Sequence, residues 1–129
     1  MLSTQPTSSR NNFVLYATSI VEKKICLEKY SINMFAKDLF MSKSSLNKKV
    51  KTTTGLTPNE FIENVKFNYA IRLFKESDLT IKEIAYSSGF NDPKYFARRF
   101  KKEYGMTPKE YKNATNKTVG YIWHNFNLN

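Results

Sequence analysis

Apolar residues along the chain keep a helical spacing: Phe61, Val65, Tyr69 and Leu73 recur every four residues, as do Phe96, Phe100 and Tyr104, while Leu46 and Val50 form a shorter pair. No segment sustains the alternation of apolar and polar residues that a half-buried strand needs. The pattern predicts an all-α chain of about seven helices with no sheet.

Capping residues divide these stretches. Ser31 can cap a helix from about Ile32 to Leu39, and Ser42 a second from Lys43 to Thr54, ended by Gly55. Thr57-Pro58-Asn59-Glu60 is a capping box with proline at the first helical position, opening a long helix to about Ser77 with one apolar stripe. Thr80 then caps a helix through about Ser88, Gly89 permits a turn, Asp92 and Pro93 open another helix, and Gly105 ends it. Thr107-Pro108-Lys109-Glu110 repeats the box before a short closing helix, and Phe13 to Lys29 supplies a leading helix with Ile20, Val21 and Leu27 inward.

This punctuation occurs twice. Gly55-Leu-Thr-Pro-Asn-Glu-Phe61 is matched by Gly105-Met-Thr-Pro-Lys-Glu-Tyr111 fifty residues on, and Leu46, Lys48, Val50 and Lys51 by Phe96, Arg98, Phe100 and Lys101. Ile32 and Ala36 match Ile81 and Ala85 at an offset of forty-nine, so one residue was gained or lost in the turn. A short helix, a tight turn and a second helix is the helix-turn-helix plan. The expected architecture is two such subdomains, about 31–55 and 80–105, joined by a linking helix over 58–77.

The 129 residues suffice for a self-supporting core, and 21 Lys and Arg against 11 Asp and Glu leave a net charge of +10, which calls for a polyanionic partner. No apolar run approaches the roughly 20 residues of a membrane span, and Met1 to Asn12 lacks the apolar centre of a signal peptide, so a cytoplasmic protein is expected. One cysteine, Cys26, and one histidine, His124, cannot supply a zinc site, a disulfide or a convergent catalytic set. No cofactor, no metal and no enzymatic activity are expected, and Cys26 reads as buried filler.

The charge is also placed. Lys43 to Lys51 holds four cations and no acid, and Lys94 to Lys102 five cations and no acid, whereas an ordinary solvated helix face mixes signs. On a helical wheel, Leu46 and Val50 point inward and Ser44, Lys48 and Lys51 outward with Asn47 beside them; Phe96, Phe100 and Tyr104 oppose Lys94, Arg98 and Lys101. Lysine and arginine donate to guanine or phosphate, asparagine pairs with adenine, and serine suits either role. Ser42 and Lys43, with Lys51, Lys101 and Lys102, are the phosphate candidates, the capped start at Ser42 being better suited than that at Asp92, whose carboxylate repels phosphate. The alternative is a basic module for nucleic acid without sequence preference, or for another protein.

With these features assembled, Phe13 to Lys112 resembles the AraC/XylS family of bacterial transcription regulators, most specifically along Ile84-Ala-Tyr-Ser-Ser-Gly-Phe-Asn-Asp-Pro-Lys-Tyr-Phe-Ala-Arg-Arg-Phe-Lys101. Gly89 to Phe96 is similar to regulators that end hybrid two-component systems. The resemblance implies double-stranded DNA as partner, two recognition helices in successive major-groove segments, and recruitment of RNA polymerase. It places base contacts on Ser44, Asn47 and Lys48, and on Pro93, Lys94, Ala97 and Arg98, with Pro93 and Ala97 limited to apolar contacts. Phe40 departs from the pattern, because it stands at the turn position matching Gly89 and leaves the first turn's geometry open.

No segment resembles a sensing or dimerisation domain, so this chain is expected to lack one. The DNA-binding domain is expected over 13–113, with 1–12 a disordered linker or remnant by composition and 114–129 a tail of unknown role, in which Tyr121, Ile122, Trp123 and Phe126 are expected to pack locally.

Overall fold

The computed structural model describes residues 5–25 and 29–115, with side chains from residue 12 onward in those ranges. Helices α1 (Gln5–Lys24), α2 (Ile32–Asp38), α3 (Lys43–Thr54), α4 (Pro58–Glu76), α5 (Ile81–Ser87) and α6 (Pro93–Tyr104) follow one another. Residues 108–115 add α7, and no strand occurs among the described residues. The chain divides into two compact units between Lys66 and Phe67, within α4.

Local chemistry sets the boundaries of the first unit. The Ser31 hydroxyl accepts from the Met34 amide at 3.2 Å to start α2, and Ser42 accepts from the Ser45 amide at 3.0 Å to start α3. Gly55 ends α3 at φ +80, in the left-handed region that glycine enters without steric cost. At α4 the Thr57 amide donates to Glu60 Oε1 (2.9 Å) while Thr57 Oγ1 accepts from the Glu60 amide (3.2 Å), closing the expected box. The core gathers Ala17 and Val21 of α1, Phe35, Ala36 and Leu39, Leu46 and Val50 of α3, and Phe61, Ile62 and Val65 of α4. Tyr30, ahead of α2, donates to Asp38 Oδ2 at 2.7 Å, and partial burial with that acidic partner holds its phenol well above the ordinary tyrosine range.

The second unit repeats the plan. Thr80 and Glu83 form a full box at α5, Asp92 accepts from the Lys94 amide at 2.9 Å with Pro93 opening α6, and Gly105 ends α6 at φ +77. Thr107 and Glu110 box the start of α7. Phe67, Ala70 and Phe74 of α4, Ile84 and Ala85 of α5, Phe90, and Phe96 and Phe100 of α6 form the core. Its rings are in mutual contact, with Phe96 and Phe100 centroids 5.6 Å apart and Phe67 and Phe90 5.0 Å apart.

Three expectations need correction, at α1, α4 and Tyr104, and others fall outside the described residues. Helix α1 runs from Gln5 to Lys24 rather than from Phe13 to Lys29, so residues 5–12, expected as disordered linker, are helical. Pro6 falls in the first turn, where a missing amide proton costs nothing. Cys26, Leu27, His124 and the tail beyond residue 115 lie outside the described residues. The single stripe on α4 does not run through: Phe61 and Val65 are buried, but Phe67, Ala70 and Phe74 take the buried positions further on and leave Tyr69 and Leu73 partly exposed. Each unit selects its own set from the shared helix.

Tyr104, expected inward, lies at the margin of the aromatic core, 36% exposed with its ring 4.6 Å from Phe100. The first turn keeps its shape despite Phe40. Phe40 adopts φ +57 where Gly89 has φ +90, and each donates from its amide at 3.0 Å to the third carbonyl before it, of Lys37 and of Tyr86. The following amides, Met41 and Phe90, donate at 2.9 Å to Ala36 and Ala85. Beyond this point Asn91 is the extra residue of the second copy, since Met41 leads straight to the cap Ser42 whereas Phe90 is separated from the cap Asp92.

Candidate nucleic-acid interface

In each unit the second helix has twelve residues, is anchored by two buried side chains and ends on a left-handed glycine. Leu46 and Val50, like Phe96 and Phe100, are wholly buried, which fixes the rotation of α3 and α6 about their axes. On α3 this leaves Ser42, Lys43, Ser44, Asn47, Lys48 and Lys51 exposed; on α6 it leaves Lys94, Arg98, Lys101 and Lys102 exposed, with Pro93 and Ala97 half-buried between them.

Three of the first unit's candidates come together at one recess. Lys43, Ser44 and Asn47 line a cavity of about 550 Å3 that Ile32 of α2 and Thr57, Pro58 and Asn59 at the start of α4 complete. Ser42 is differently placed from its expected use. Its oxygen accepts from the Ser45 amide, and its hydroxyl donates to Ser45 Oγ at 2.9 Å, so its proton is already engaged. Ser45, exposed one turn along, carries the hydroxyl that can still donate outward.

Lys49 and Arg99 of the basic windows engage neighbouring side chains. The Lys49 ammonium lies 5.3 Å from the centroid of the Phe13 ring on α1, and Arg99 pairs with Glu103 at 3.2 Å one turn along α6. Lys49 and Arg99 are equivalent positions of the repeat.

Sequence reasoning also missed Tyr95, which occupies the repeat position of Ser45 and whose ring centroid lies 5.5 Å from the Arg98 guanidinium carbon. The signal was present, since an aromatic residue three before an arginine on a helix is within reach of it.

Among the described residues no group of three His, Cys, Asp or Glu could hold a metal ion, and no helix is long and apolar enough to cross a membrane. Glu83 and Glu110 are held below the ordinary carboxylate range by the backbone and side-chain hydrogen bonds of Thr80 and Thr107. They serve as caps.

Known proteins agree with this arrangement. Residues 35–114 match a helix-turn-helix domain family. A histidine kinase P4 of Formosa agariphila is 36% identical over 97 residues, which are 75% of this chain and 7% of the kinase. The HTH-type transcriptional activator RhaR of Salmonella arizonae is 30% identical over 89 residues, 69% of this chain and 32% of the activator. The C-terminal domain of the two-component response regulator yesN from Fusobacterium nucleatum superposes with a TM-score of 0.69 at 27% identity, covering 78% of this chain and 98% of that domain. The chain thus spans under a third of the length of the curated relatives it matches. With the family model matched across both helix-turn-helix units, the chain belongs to the AraC-type helix-turn-helix family, whose domains bind DNA by sequence in transcription regulation.

Proposed function

We propose that each unit lays its second helix in the major groove of a DNA duplex, so that one chain reads two neighbouring groove segments of unlike sequence. The observation that carries this is the pairing, at matched repeat positions, of a wholly buried anchor face with an exposed cationic face on both α3 and α6. Ser44, Asn47 and Lys48 read bases in one segment. Lys94 and Arg98 read them in the other, with Pro93 and Ala97 giving apolar contact to thymine methyl groups. Lys43, Lys51, Lys101 and Lys102 meet phosphates, and Ser42 contributes through the capped start of α3 rather than through its engaged hydroxyl.

The DNA-binding domain spans residues 13–113 of a cytoplasmic regulator that recruits RNA polymerase, with its sensing or dimerising part outside this chain; the histidine kinase and response regulator among its relatives support that setting. Footprinting on a site selected from a random duplex pool tests the reading. Two protected segments about 10 base pairs apart are expected, with the second lost when five base pairs are inserted between them. Arg98→Ala is expected to lose about 1 to 3 kcal/mol of discrimination at one or two base pairs of one segment only. A single short footprint, or equal weakening on every sequence, would overturn it.

A further inference from the structure

We propose that Tyr95 is a positioning residue for Arg98, its ring holding the guanidinium ready at the reading face of α6. This rests on the base-reading role given to Arg98 above. The guanidinium carbon lies 5.5 Å from the Tyr95 centroid, across one helical turn. Tyr95 is 37% exposed, and its ring is steadied from beneath by Phe90, 6.4 Å away. Phe90 is itself 4% exposed and packed 5.0 Å from Phe96, so the platform is continuous with the core.

The geometry leaves the reading function open. A guanidinium stacks through its face and donates hydrogen bonds from its edge, so contact with the ring does not compete with the two parallel bonds that guanine accepts. An arginine free in solvent must surrender several rotamers to make those bonds, whereas one already resting on a ring surrenders fewer. The first unit has no such device at the matching place: Ser45 stands where Tyr95 does, and its hydroxyl accepts from Ser42. Lys48, the counterpart of Arg98, is exposed.

The test uses the whole 129-residue chain and a duplex site selected by the wild-type chain from a random pool. Affinity is read by fluorescence anisotropy for Tyr95→Ala, Tyr95→Phe, Arg98→Ala and the double variant, on that site and on its single-base-pair changes. Tyr95→Ala is expected to weaken binding about two- to fivefold, the scale of an exposed cation–π contact. The discrimination it loses should fall at the base pairs that Arg98→Ala affects. Tyr95→Phe should bind as the wild type, and Tyr95→Ala should cost nothing further once Arg98 is alanine. Melting temperatures of the variants check that folding is retained. An equal cost of Tyr95→Ala in both backgrounds, binding unchanged or tightened by it, or failure of Tyr95→Phe to rescue would overturn the positioning role. Arg98→Ala without effect on any base pair would instead overturn the base-reading role beneath it, and the two failures are told apart by that variant alone.

Discussion

The two units build one plan from different materials. The first packs mainly aliphatic side chains around Phe35 and Phe61, whereas the second is a cluster of rings, with Phe96 and Phe100 standing where the first has Leu46 and Val50. Ile84 in turn replaces Phe35, so the large side chain has moved from the first helix of the unit to the second. What stays constant is the punctuation: an extended-backbone cap before α2, α3, α5 and α6 and a left-handed glycine after α3 and α6. The plan is held by where helices start and stop, and the core fills the space by total volume rather than by matched residues.

The largest expected effects come from emptying the two cores. Phe96→Ala should destabilise by about 3 to 5 kcal/mol and Leu46→Ala by about 2 to 5 kcal/mol, measured by thermal melts. Each removes a buried anchor that fixes the rotation of α3 or α6, and unchanged melting would show the helix faces to be wrongly assigned.

The turns offer a smaller contrast with opposite signs. Gly89→Ala should cost about 1 to 2 kcal/mol, because it places a β-carbon at φ +90. Phe40→Gly should instead gain up to about 1 kcal/mol, since it relieves a phenylalanine held at φ +57, part of the relief being offset by the greater freedom of glycine in the unfolded chain. Phe40 is 91% exposed, so the replacement forfeits little burial. Denaturant titrations of both variants decide the matter, and a loss from Phe40→Gly would mean that its ring contributes a contact.

Ser88 is a buried polar residue of the second unit. Its hydroxyl is fully buried and finds no hydrogen-bond partner, while Leu39 fills the same position in the first unit. Ser88→Ala should stabilise by about 1 kcal/mol, because it removes a desolvated group that nothing compensates. A fall in stability on chemical denaturation would show that the hydroxyl is satisfied in solution.

The smallest effect separates the caps. Helix α5 carries a full box from Thr80 and Glu83, whereas α2 has only the Ser31 hydroxyl. Glu83 titrates below the ordinary carboxylate range in the folded chain, so its contribution is present above that range and lost as pH falls through the folded value. Amide exchange on acidification should therefore rise at the start of α5 before it does at the start of α2. Simultaneous fraying would remove the distinction.

Legibility followed the range of the interactions. Caps at Ser31, Ser42, Thr57, Thr80, Asp92 and Thr107 were readable because donor and acceptor lie within three residues of each other. The inward faces of α3 and α6 were readable from two well-spaced anchors each. The change of buried set along α4 was not, since spacing alone cannot show that one helix serves two cores. Phe40 adopting the glycine-like turn was not readable either, since it goes with backbone hydrogen bonds from the Phe40 and Met41 amides that residue type alone does not reveal. Lys49 resting on Phe13 joins residues far apart in the chain and needed the packing of α1 to be seen.

The engagement of Lys49 with Phe13 and of Arg99 with Glu103 should register in the ion atmosphere of bound DNA. Each phosphate neutralised by the protein frees condensed counterions, so affinity falls with salt in proportion to the number of such contacts. If only Lys43, Lys51, Lys101 and Lys102 meet phosphates, the logarithm of affinity should fall with the logarithm of salt at a slope of about −3.6; with Lys49 and Arg99 also engaged it would be about −5.4. Two side chains folded back onto a ring and a carboxylate would thus make the complex less sensitive to ionic strength than its charge of +10 suggests.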